Sequence, residues 1–407
     1  MHMKPHTQTS DSRSRMLSRQ LHCLLVALLV PTFALAENWM ARVPDRTFVS
    51  TLSIPGAHDA ATGSGWASGY ATMGDLYART QELNIGQLWA IGVRAFDLRP
   101  CSHDGYMNIN HGLMPTMLHF DAVLCQLRDS LIANPSEFVI IHMLHATDGD
   151  QVKDVYETQL LEILQRPDLK PYFANFKNDL RVRDLRGKIL ILSRNAYAST
   201  PPVGGFFTNW TGDADWSRQT QGRIIGPKNA SMPAYMQDYA ETFAEGAMQT
   251  KLDAIEKMLD FSTTHRTLVS SQVVWVFNFA SAFSKVTSLL GYNISQSNGY
   301  RDNATHTHAC ILQYLASHTP GPTGVVLMDY AGVDQTSGYA TRGQELVDTL
   351  IANNFRYITP QSTAVGTPRA EGHVQSYSLQ GVPAKKPQRG KIYITRQKNG
   401  TTRKILY

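Results

Sequence analysis

The sequence predicts an α/β protein whose main domain is a (β/α)8 TIM-like barrel with irregularities. Short apolar runs such as Phe138–Leu144 lack polar alternation, which is typical of parallel strands covered on both faces. Longer amphipathic runs lie between them, and about eight strands alternate with helices over roughly 300 residues, as in such a barrel. The chain has 407 residues, 43% of them apolar, which is ordinary for a protein with a buried core.

The predicted elements follow one another in a βα order along the chain. Asn134-Pro135 ends the first helix, because a residue before proline disfavours helical backbone. The helical signal is weak elsewhere, so the barrel is expected to be irregular. The predicted strands are Leu52–Ile54, Val93–Leu98, Met107–Asn110, Phe138–Leu144, Lys188–Ser193, Ala234–Gln237, Val273–Phe279 and Val325–Tyr330, and the predicted helices are Asp121–Ala133, Val152–Leu164, Glu241–Leu259 and Gly343–Ala352.

The N-terminus has the pattern of a secretory signal peptide. Three arginines between Arg13 and Arg19 precede the apolar run Leu21–Val30, and the small-residue triplet Ala34-Leu35-Ala36 follows. Cleavage is expected after Ala36, so the mature protein is predicted to be secreted or periplasmic. The alternative is an uncleaved anchor helix, which is disfavoured because the apolar run is shorter than the ~20 residues that span a bilayer.

Residues 361–407 differ in composition from the barrel. Eight Lys/Arg residues occur between Lys385 and Lys404, and Asn399-Gly400 separates two short β-rich runs, a strong hairpin signal. The segment is interpreted as a basic linker and a small C-terminal β-hairpin extension that either contacts anionic lipid head groups or remains solvated. The expected domains are 1–36 (signal peptide), 37–360 (barrel) and 361–407 (extension), with hairpin strands Lys391–Gln397 and Thr402–Tyr407.

Three cysteines remain after removal of the predicted signal peptide: Cys101, Cys125 and Cys310. An exported protein can form disulfides, and Cys101–Cys125 is a possible pair. Three cysteines necessarily leave one unpaired. Buried thiols with at most one bridge are therefore the favoured interpretation.

Polar residues follow several of the predicted strands, where the active site of such a barrel lies. His58 and Asp59 follow the first strand, and His111 follows the third. Two imidazoles can serve as base and acid near neutral pH, an arginine can grip a phosphate, and carboxylates can fix histidine tautomers. This set suits phosphodiester cleavage by an internal hydroxyl. The other strand-end residues are Asp97, Arg99, Arg194, Asp238 and Asp329.

Several motifs resemble the X-domain of bacterial phosphatidylinositol-specific phospholipase C. They occur in the family's order, and the resemblance covers Trp39 to Phe355. It implies a barrel lyase that cleaves phosphatidylinositol into diacylglycerol and inositol 1,2-cyclic phosphate, and glycosylated inositol lipids or another phosphodiester with a neighbouring hydroxyl stay open as alternative substrates. The motifs are Ser53-Ile54-Pro55-Gly56-Ala57-His58-Asp59, Gly92-Val93-Arg94 through Arg99, His111-Gly112, Asn134-Pro135-Ser136-Glu137 and Leu185-Arg186-Gly187-Lys188.

The resemblance also implies roles for the catalytic residues. His58 would be the general base that deprotonates the inositol 2-hydroxyl. His111 would be the general acid for the diacylglycerol oxygen, helped by Asp59. Arg99 would stabilise the phosphate charge. Two further carboxylates would support this group, Asp329 by orienting His58 and Asp97 by holding the histidine–arginine cluster.

Head-group recognition follows the family less closely. Arg194 and Asp238 fall where the family holds inositol hydroxyls. A lysine expected after the fourth strand is absent, and His145 is the predicted substitute. A tyrosine expected two places after Asp238 is replaced by Ala240, so the adjacent Tyr239 is predicted to contact the substrate instead.

The resemblance predicts no metal and no cofactor. Calcium-dependent relatives place an acid where Arg99 stands and an Asn where Asp59 stands, and a guanidinium can do the cation's work. The expected partner is a membrane surface containing phosphatidylinositol, with no nucleic acid or protein partner. The segment Gly63–Met73 is expected either to reach that surface or to be an ordinary exposed loop. Two alternatives stay open: a metal-dependent glycerophosphodiesterase or sphingomyelinase D type of barrel, and a non-catalytic lipid-binding barrel.

Overall fold

The computed structural model describes residues 38–210, 212, 222–265, 274–289 and 292–358, together with the backbone of four short strands between residues 375 and 406. The predicted signal peptide lies outside the described residues. The chain divides into two compact units, Met1–Pro360 and Gln361–Tyr407. Within the described residues, no helix is both long and apolar enough to cross a membrane.

The first unit contains both strands and helices. Its strands are β1 Ser53–Ala57, β2 Ala95–Leu98, β3 Pro100–His103, β4 Tyr106–His111, β5 Met114–His119, β6 Val139–Met143, β7 Ile189–Ser193, β8 Gly205–Thr208, β9 Arg223–Ile225, β10 Ser231–Gln237, β11 Trp275–Phe279, β12 Val286–Leu289, β13 Tyr292–Ser295 and β14 Gly324–Met328. Its α-helices are α1 Ala71–Tyr77, α2 Ile85–Ala90, α3 Phe120–Ala133, α4 Tyr156–Gln165, α5 Val182–Leu185, α6 Ala247–His265, α7 Ser297–Ser317 and α8 Gly343–Tyr357.

Nine of these strands close into a barrel in the order β1-β14-β11-β10-β9-β8-β7-β6-β2. The pairs β1–β2, β2–β6, β6–β7 and β11–β14 are parallel, and the strands β1, β6, β7, β11 and β14 are buried along their whole length. The predicted α/β barrel and its irregularity are both confirmed. The irregularity is β9, which pairs antiparallel with β8 and with β10.

The prediction that Met107–Asn110 forms a barrel strand is wrong. It lies in β4, the middle strand of a separate antiparallel sheet with β3 and β5. Only Asp104-Gly105 connects β3 to β4, and Gly105 has a φ of +77°. Asp-Gly between two strands favours a two-residue hairpin, whereas a parallel neighbour needs a crossover of a dozen or so residues.

The predicted helices correspond to α3, α4, α6 and α8, with ends shifted by several residues. The long helix α7 was not predicted. Its buried face includes polar residues such as Asn303, Thr307 and His308, which hide the apolar periodicity that marks a helix. Strands β8 and β9 were also missed, because they are short and only partly buried.

The second unit contains a four-stranded sheet in the order β16-β15-β17-β18, formed by β15 Gln375–Tyr377, β16 Pro383–Ala384, β17 Ile392–Arg396 and β18 Thr402–Leu406. Strands β17 and β18 are antiparallel, with Ile392 opposite Leu406. The predicted hairpin therefore forms, and two further strands extend it. Its predicted turn, Asn399-Gly400, lies outside the described residues.

Cys101, Cys125 and Cys310 carry free thiols. Cys101 and Cys310 are buried, and Cys125 is half-buried. The possible Cys101–Cys125 bridge is not formed, in agreement with the favoured interpretation of buried thiols.

Candidate active site

His58 lies at the carboxyl end of β1, with its ring held at both nitrogens. Its Nδ1 is 2.7 Å from Asp329 Oδ1 beyond β14, and its Nε2 is 2.8 Å from Arg99 Nη2. A guanidinium nitrogen can only donate, so Nε2 must accept and Nδ1 must carry the proton that is donated to Asp329. The hydrogen bonds thus select one neutral tautomer of His58, with its lone pair on Nε2.

Burial reinforces this protonation state. Burial, together with the nearby Arg99 charge, holds the pKa of His58 well below its ordinary value. Burial also raises the pKa of Asp329 well above its ordinary value, and the nearby Asp59 carboxylate adds to that effect. His58 is therefore neutral in the unliganded site, which is the state that a general base requires.

Arg99 is the centre of the cluster. Its Nη2 donates to Asp97 Oδ2 over 3.1 Å, and its Nε lies 2.8 Å from Asp59 Oδ1. Burial alone would raise the pKa of Asp97, but Arg99 and His142 outweigh it, and this pKa lies well below its ordinary value. Burial raises the pKa of Asp59.

The three groups around Arg99 also have a metal-site geometry. One donor atom from each of His58, Asp59 and Asp97 lies within 4.8 Å of the others. Each of these residues already contacts the Arg99 guanidinium. A fixed positive charge therefore sits beside all three possible ligands.

His111 reaches this cluster from outside the barrel. It ends β4, and the antiparallel sheet places its Nε2 3.5 Å from Asp59 Oδ2 and 3.4 Å from the Tyr300 hydroxyl. Its Nδ1 donates to the Ala78 carbonyl over 2.6 Å. A carbonyl can only accept, so this bond fixes the proton on Nδ1 and aims Nε2 at Asp59. The six predicted catalytic residues are thus brought together.

A second polar group borders the first. Arg194 Nη2 donates to Asp238 Oδ2 over 2.9 Å, and Trp210 Nε1 donates to the same oxygen over 2.9 Å. The Arg194 guanidinium lies 4.2 Å from the Trp210 ring centre. Phe279 is close to both groups, since its ring is 6.2 Å from the His58 ring and 5.8 Å from the Arg194 guanidinium.

Comparisons with known proteins point in one direction. No family model matches the sequence. A Staphylococcus aureus 1-phosphatidylinositol phosphodiesterase is 24% identical over 324 residues, which cover 77% of this chain and 94% of the relative. The protein of the same name from Listeria monocytogenes is 30% identical over 168 residues, which cover 39% of this chain and 49% of the relative.

The solved structures agree on the fold. A phosphatidylinositol-specific phospholipase C from S. aureus superposes with a TM-score of 0.61 at 21% identity, over 77% of this chain and 97% of that one. The L. monocytogenes enzyme gives a TM-score of 0.55 at 21% identity, over 78% and 98%. This chain resembles bacterial phosphatidylinositol-specific phospholipase C. The likeness extends over nearly the full length of each of those relatives' structures.

Two residues predicted to bind substrate in this phospholipase C-like barrel lie among other partners. His145 Nε2 is 2.8 Å from Asp150, and the His145 ring stacks on Tyr156. The amide of Tyr239 donates to Gln237 over 2.9 Å. None of the contacts described for these two side chains involves His58 or Arg194, and their roles remain predictions.

Sequence reasoning missed four residues of the site: His142, Trp210, Lys251 and Tyr300. A signal existed for His142, the polar residue within the apolar run Phe138–Leu144. Tyr300 was hidden with its unpredicted helix, and Trp210 follows a strand that was also missed. Lys251 lies in a predicted helix, but nothing in the sequence indicates that it is completely buried.

Lys251 gives the phospholipase C-like barrel a specific pH dependence. Its Nζ donates to Gln237 Oε1 and the Tyr239 carbonyl, on either side of Asp238, and burial lowers its pKa to about 7. The unfolded chain keeps this proton up to about pH 10. Between about pH 7 and 10 the unfolded state therefore binds more protons, so the folded state gains stability as the pH rises.

We expect the free energy of unfolding of the parent, relative to Lys251→Met, to increase by a few kcal/mol across this window. Chemical denaturation at a series of pH values measures it. The exposed Lys153→Met is the matched control. A parent–variant difference that is constant with pH would contradict the prediction.

Proposed function

We propose that this chain is a phosphatidylinositol-specific phospholipase C, a phosphorus–oxygen lyase that releases diacylglycerol and inositol 1,2-cyclic phosphate. The observation that carries the proposal is the placement of two imidazoles, His58 and His111, on either side of the Arg99–Asp59 ion pair. Each ring carries its Nδ1 proton toward a fixed acceptor and turns Nε2 toward that ion pair. Both proton-transfer groups therefore face the guanidinium that would bind the phosphate.

The first step forms the cyclic ester. The inositol 2-hydroxyl oxygen attacks phosphorus, and its proton passes to His58 Nε2. Arg99 donates to that nitrogen in the unliganded site, so the lone pair becomes available when phosphate oxygens take over the guanidinium N–H groups. Asp329 then stabilises the imidazolium that forms. Phosphate binding and activation of the base are thus one event.

The second step releases the lipid. The bond between phosphorus and the diacylglycerol oxygen breaks, and that oxygen takes a proton from Nε2 of protonated His111. Asp59 Oδ2 lies 3.5 Å from this nitrogen and would help to hold the ring in place for the transfer. Arg99 neutralises charge on the phosphate oxygens during both steps, which is often the largest single contribution to catalysis. The protons balance, since His58 gains one and His111 loses one.

We expect the reaction to need no metal. The three possible ligands around Arg99 already share its positive charge, and a guanidinium can bind two phosphate oxygens at once. The inositol hydroxyls are assigned to Arg194 and Asp238, whose ion pair borders the catalytic group. His145 and Tyr239 are kept as the predicted substitutes for the lysine and the tyrosine that contact the inositol in the family.

We assign contact with the membrane to exposed apolar residues near the catalytic end of the barrel. The strand β5 pairs with the segment that leads into α1, because the Met117 amide donates to the Gly65 carbonyl. Ala78, directly after α1, holds His111. A lipid surface bound here would lie next to the general acid. The exposed apolar residues are Tyr70, Met73 and Leu76 in or beside α1, and Leu113 and Met117 around β5.

We expect Met73→Asp combined with Leu76→Asp to reduce binding to phosphatidylinositol vesicles at least tenfold, since burying each apolar side chain contributes roughly 1.5–3 kcal/mol. Vesicle sedimentation measures this. Turnover of a monomeric short-chain substrate should stay within about twofold, since neither residue contacts the catalytic group. Ile132→Asp, at another exposed apolar position on α3, is the control. Equal vesicle binding by all three proteins would refute the assignment.

Two further proposals concern the ends of the chain. The N-terminal pattern supports export to the periplasm or the exterior, where residues 1–36 would be removed. The basic segment 361–407 would add attraction to anionic lipids, and this attraction should weaken as the salt concentration rises.

Phosphorus NMR of phosphatidylinositol micelles in EDTA tests the function. A cyclic phosphodiester signal in EDTA would support both the lyase and its metal independence. Activity only after addition of magnesium or calcium would overturn the role of Arg99 and favour a metal-dependent phosphodiesterase. Lipid binding without any product under either condition would favour a non-catalytic barrel.

A further inference from the structure

His142 occupies a buried position behind the catalytic arginine. In the parallel pair β2–β6 it lies directly opposite Asp97. Its Nδ1 is 2.7 Å from Asp97 Oδ1, and both side chains are completely buried. The backbone register therefore brings these two polar side chains together in the interior of the barrel.

Asp97 divides its two oxygens between two tasks. Oδ1 faces His142, while Oδ2 accepts from Arg99 Nη2 and from the Asp59 amide, each over 3.1 Å. The orientation of the carboxylate thus decides where both catalytic neighbours lie. A group that fixes Oδ1 fixes Oδ2 as well, because the carboxylate is planar and rigid.

The protonation state of His142 follows from its surroundings. Aromatic rings of Trp210, Phe279 and Phe207 surround it at 4.9, 5.6 and 6.1 Å. Its Nε2 is buried and has no hydrogen-bond partner among the residues that the structure describes. A neutral ring with its proton on Nδ1 avoids a buried unpaired N–H and donates to Asp97. Asp97 then keeps its full negative charge for Arg99.

We infer that His142 is a positioning residue of the reaction, which orients Asp97 and through it holds the Arg99 guanidinium where the phosphate binds. The inference rests on the proposed function for its effect on turnover, but its effect on the geometry of the free protein does not. His142 touches no reacting atom. Its removal should lower kcat and leave KM nearly unchanged, because Arg99 matters most when charge develops in the transition state.

Three variants test the inference in the full chain. His142→Leu fills the site without a donor and should lower kcat about 10- to 100-fold, as loss of an outer-shell partner typically does. His142→Asn should restore kcat to within a few fold, because its amide can donate near the position of Nδ1. His308→Leu is the matched control, since His308 is also completely buried and, within the part of the chain that the structure describes, donates to a backbone carbonyl, that of Thr341.

A double-mutant cycle tests whether the effect of His142 on catalysis depends on Asp97. If His142 acts through Asp97, adding His142→Leu to Asp97→Asn should cost no further activity. A purely structural role would instead lower the unfolding midpoint of His142→Leu and His308→Leu alike, with additive losses in the cycle. Equal kcat for the parent and His142→Leu, or additive losses, would overturn the inference.

A second readout does not depend on the substrate. The ¹⁵N chemical shift of His58 Nε2 at fixed pH reports whether Arg99 still donates to it. This shift should change in His142→Leu and return in His142→Asn. If the parent does not cleave phosphatidylinositol but the shift changes in His142→Leu, the proposed function is refuted and the positioning role is supported. If the parent does cleave phosphatidylinositol but the shift is the same in His142→Leu, the proposed function is supported and the positioning role is refuted.

Discussion

His58→Ala is expected to lower kcat for phosphatidylinositol cleavage by about 10³- to 10⁴-fold, at the upper end of what a general base contributes. The ring is the group that both Asp329 and Arg99 hold, and no other imidazole has its Nε2 within hydrogen-bond distance of Arg99 among the described residues. The fold should survive, because burial raises the pKa of the Asp329 carboxyl and it can become neutral once its partner is lost.

Release of the cyclic phosphodiester, followed by phosphorus NMR, measures this loss. His306→Ala is the matched control, because the contact recorded for the half-exposed His306 among the described residues is a distant ion pair with Asp302 on the same helix. The control should keep the parent rate. Retention of more than about a tenth of the parent kcat by His58→Ala would exclude it as the base, since a base contributes at least about 10²-fold.

Arg99→Lys is expected to lower kcat about 10²- to 10³-fold although the charge is kept, which is the loss typical when one stabilising donor group is removed. The guanidinium places Nη2 against Asp97 and His58, and its Nε lies 2.8 Å from Asp59 Oδ1. A lysine ammonium is a compact point charge and cannot reproduce this planar arrangement. The reaction should stay insensitive to EDTA, because the variant retains a cation at this position.

Arg99→Met should in addition destabilise the protein by about 3–5 kcal/mol, because two nearly inaccessible carboxylates lose their counter-charge. Urea denaturation measures this loss. Arg128→Met is the control, since Arg128 also bridges two aspartates, Asp129 and Asp168, but both are exposed. That variant should lose little stability, because ion pairs to exposed carboxylates contribute little. Equal stability losses for the two methionine variants would contradict the central role of Arg99.

The sequence predicted the barrel because its strands are local, apolar and separated by recognisable helices. It failed where a local pattern had two interpretations. The run Met107–Asn110 was interpreted as a barrel strand, and the short Asp104-Gly105 connection that makes it antiparallel was overlooked. The helix α7 was missed because its buried face is partly polar.

The candidate site was likewise predictable from the sequence only in part. His58, Asp59, Asp97 and Arg99 lie at the ends of adjacent strands, and the strand order alone brings them together. His111 comes from a strand outside the barrel, so its arrival beside Asp59 depends on how the antiparallel sheet folds back.

By itself, the sequence determined the fold class, the residue types of the reaction and the family that this chain resembles. These are properties of short segments, and each segment carries its own signal. Only the tertiary structure decided which histidine nitrogen faces which partner, that His142 supports Asp97, and that Lys251 is buried. These depend on strand register and on contacts between residues far apart in the chain, which no local pattern encodes.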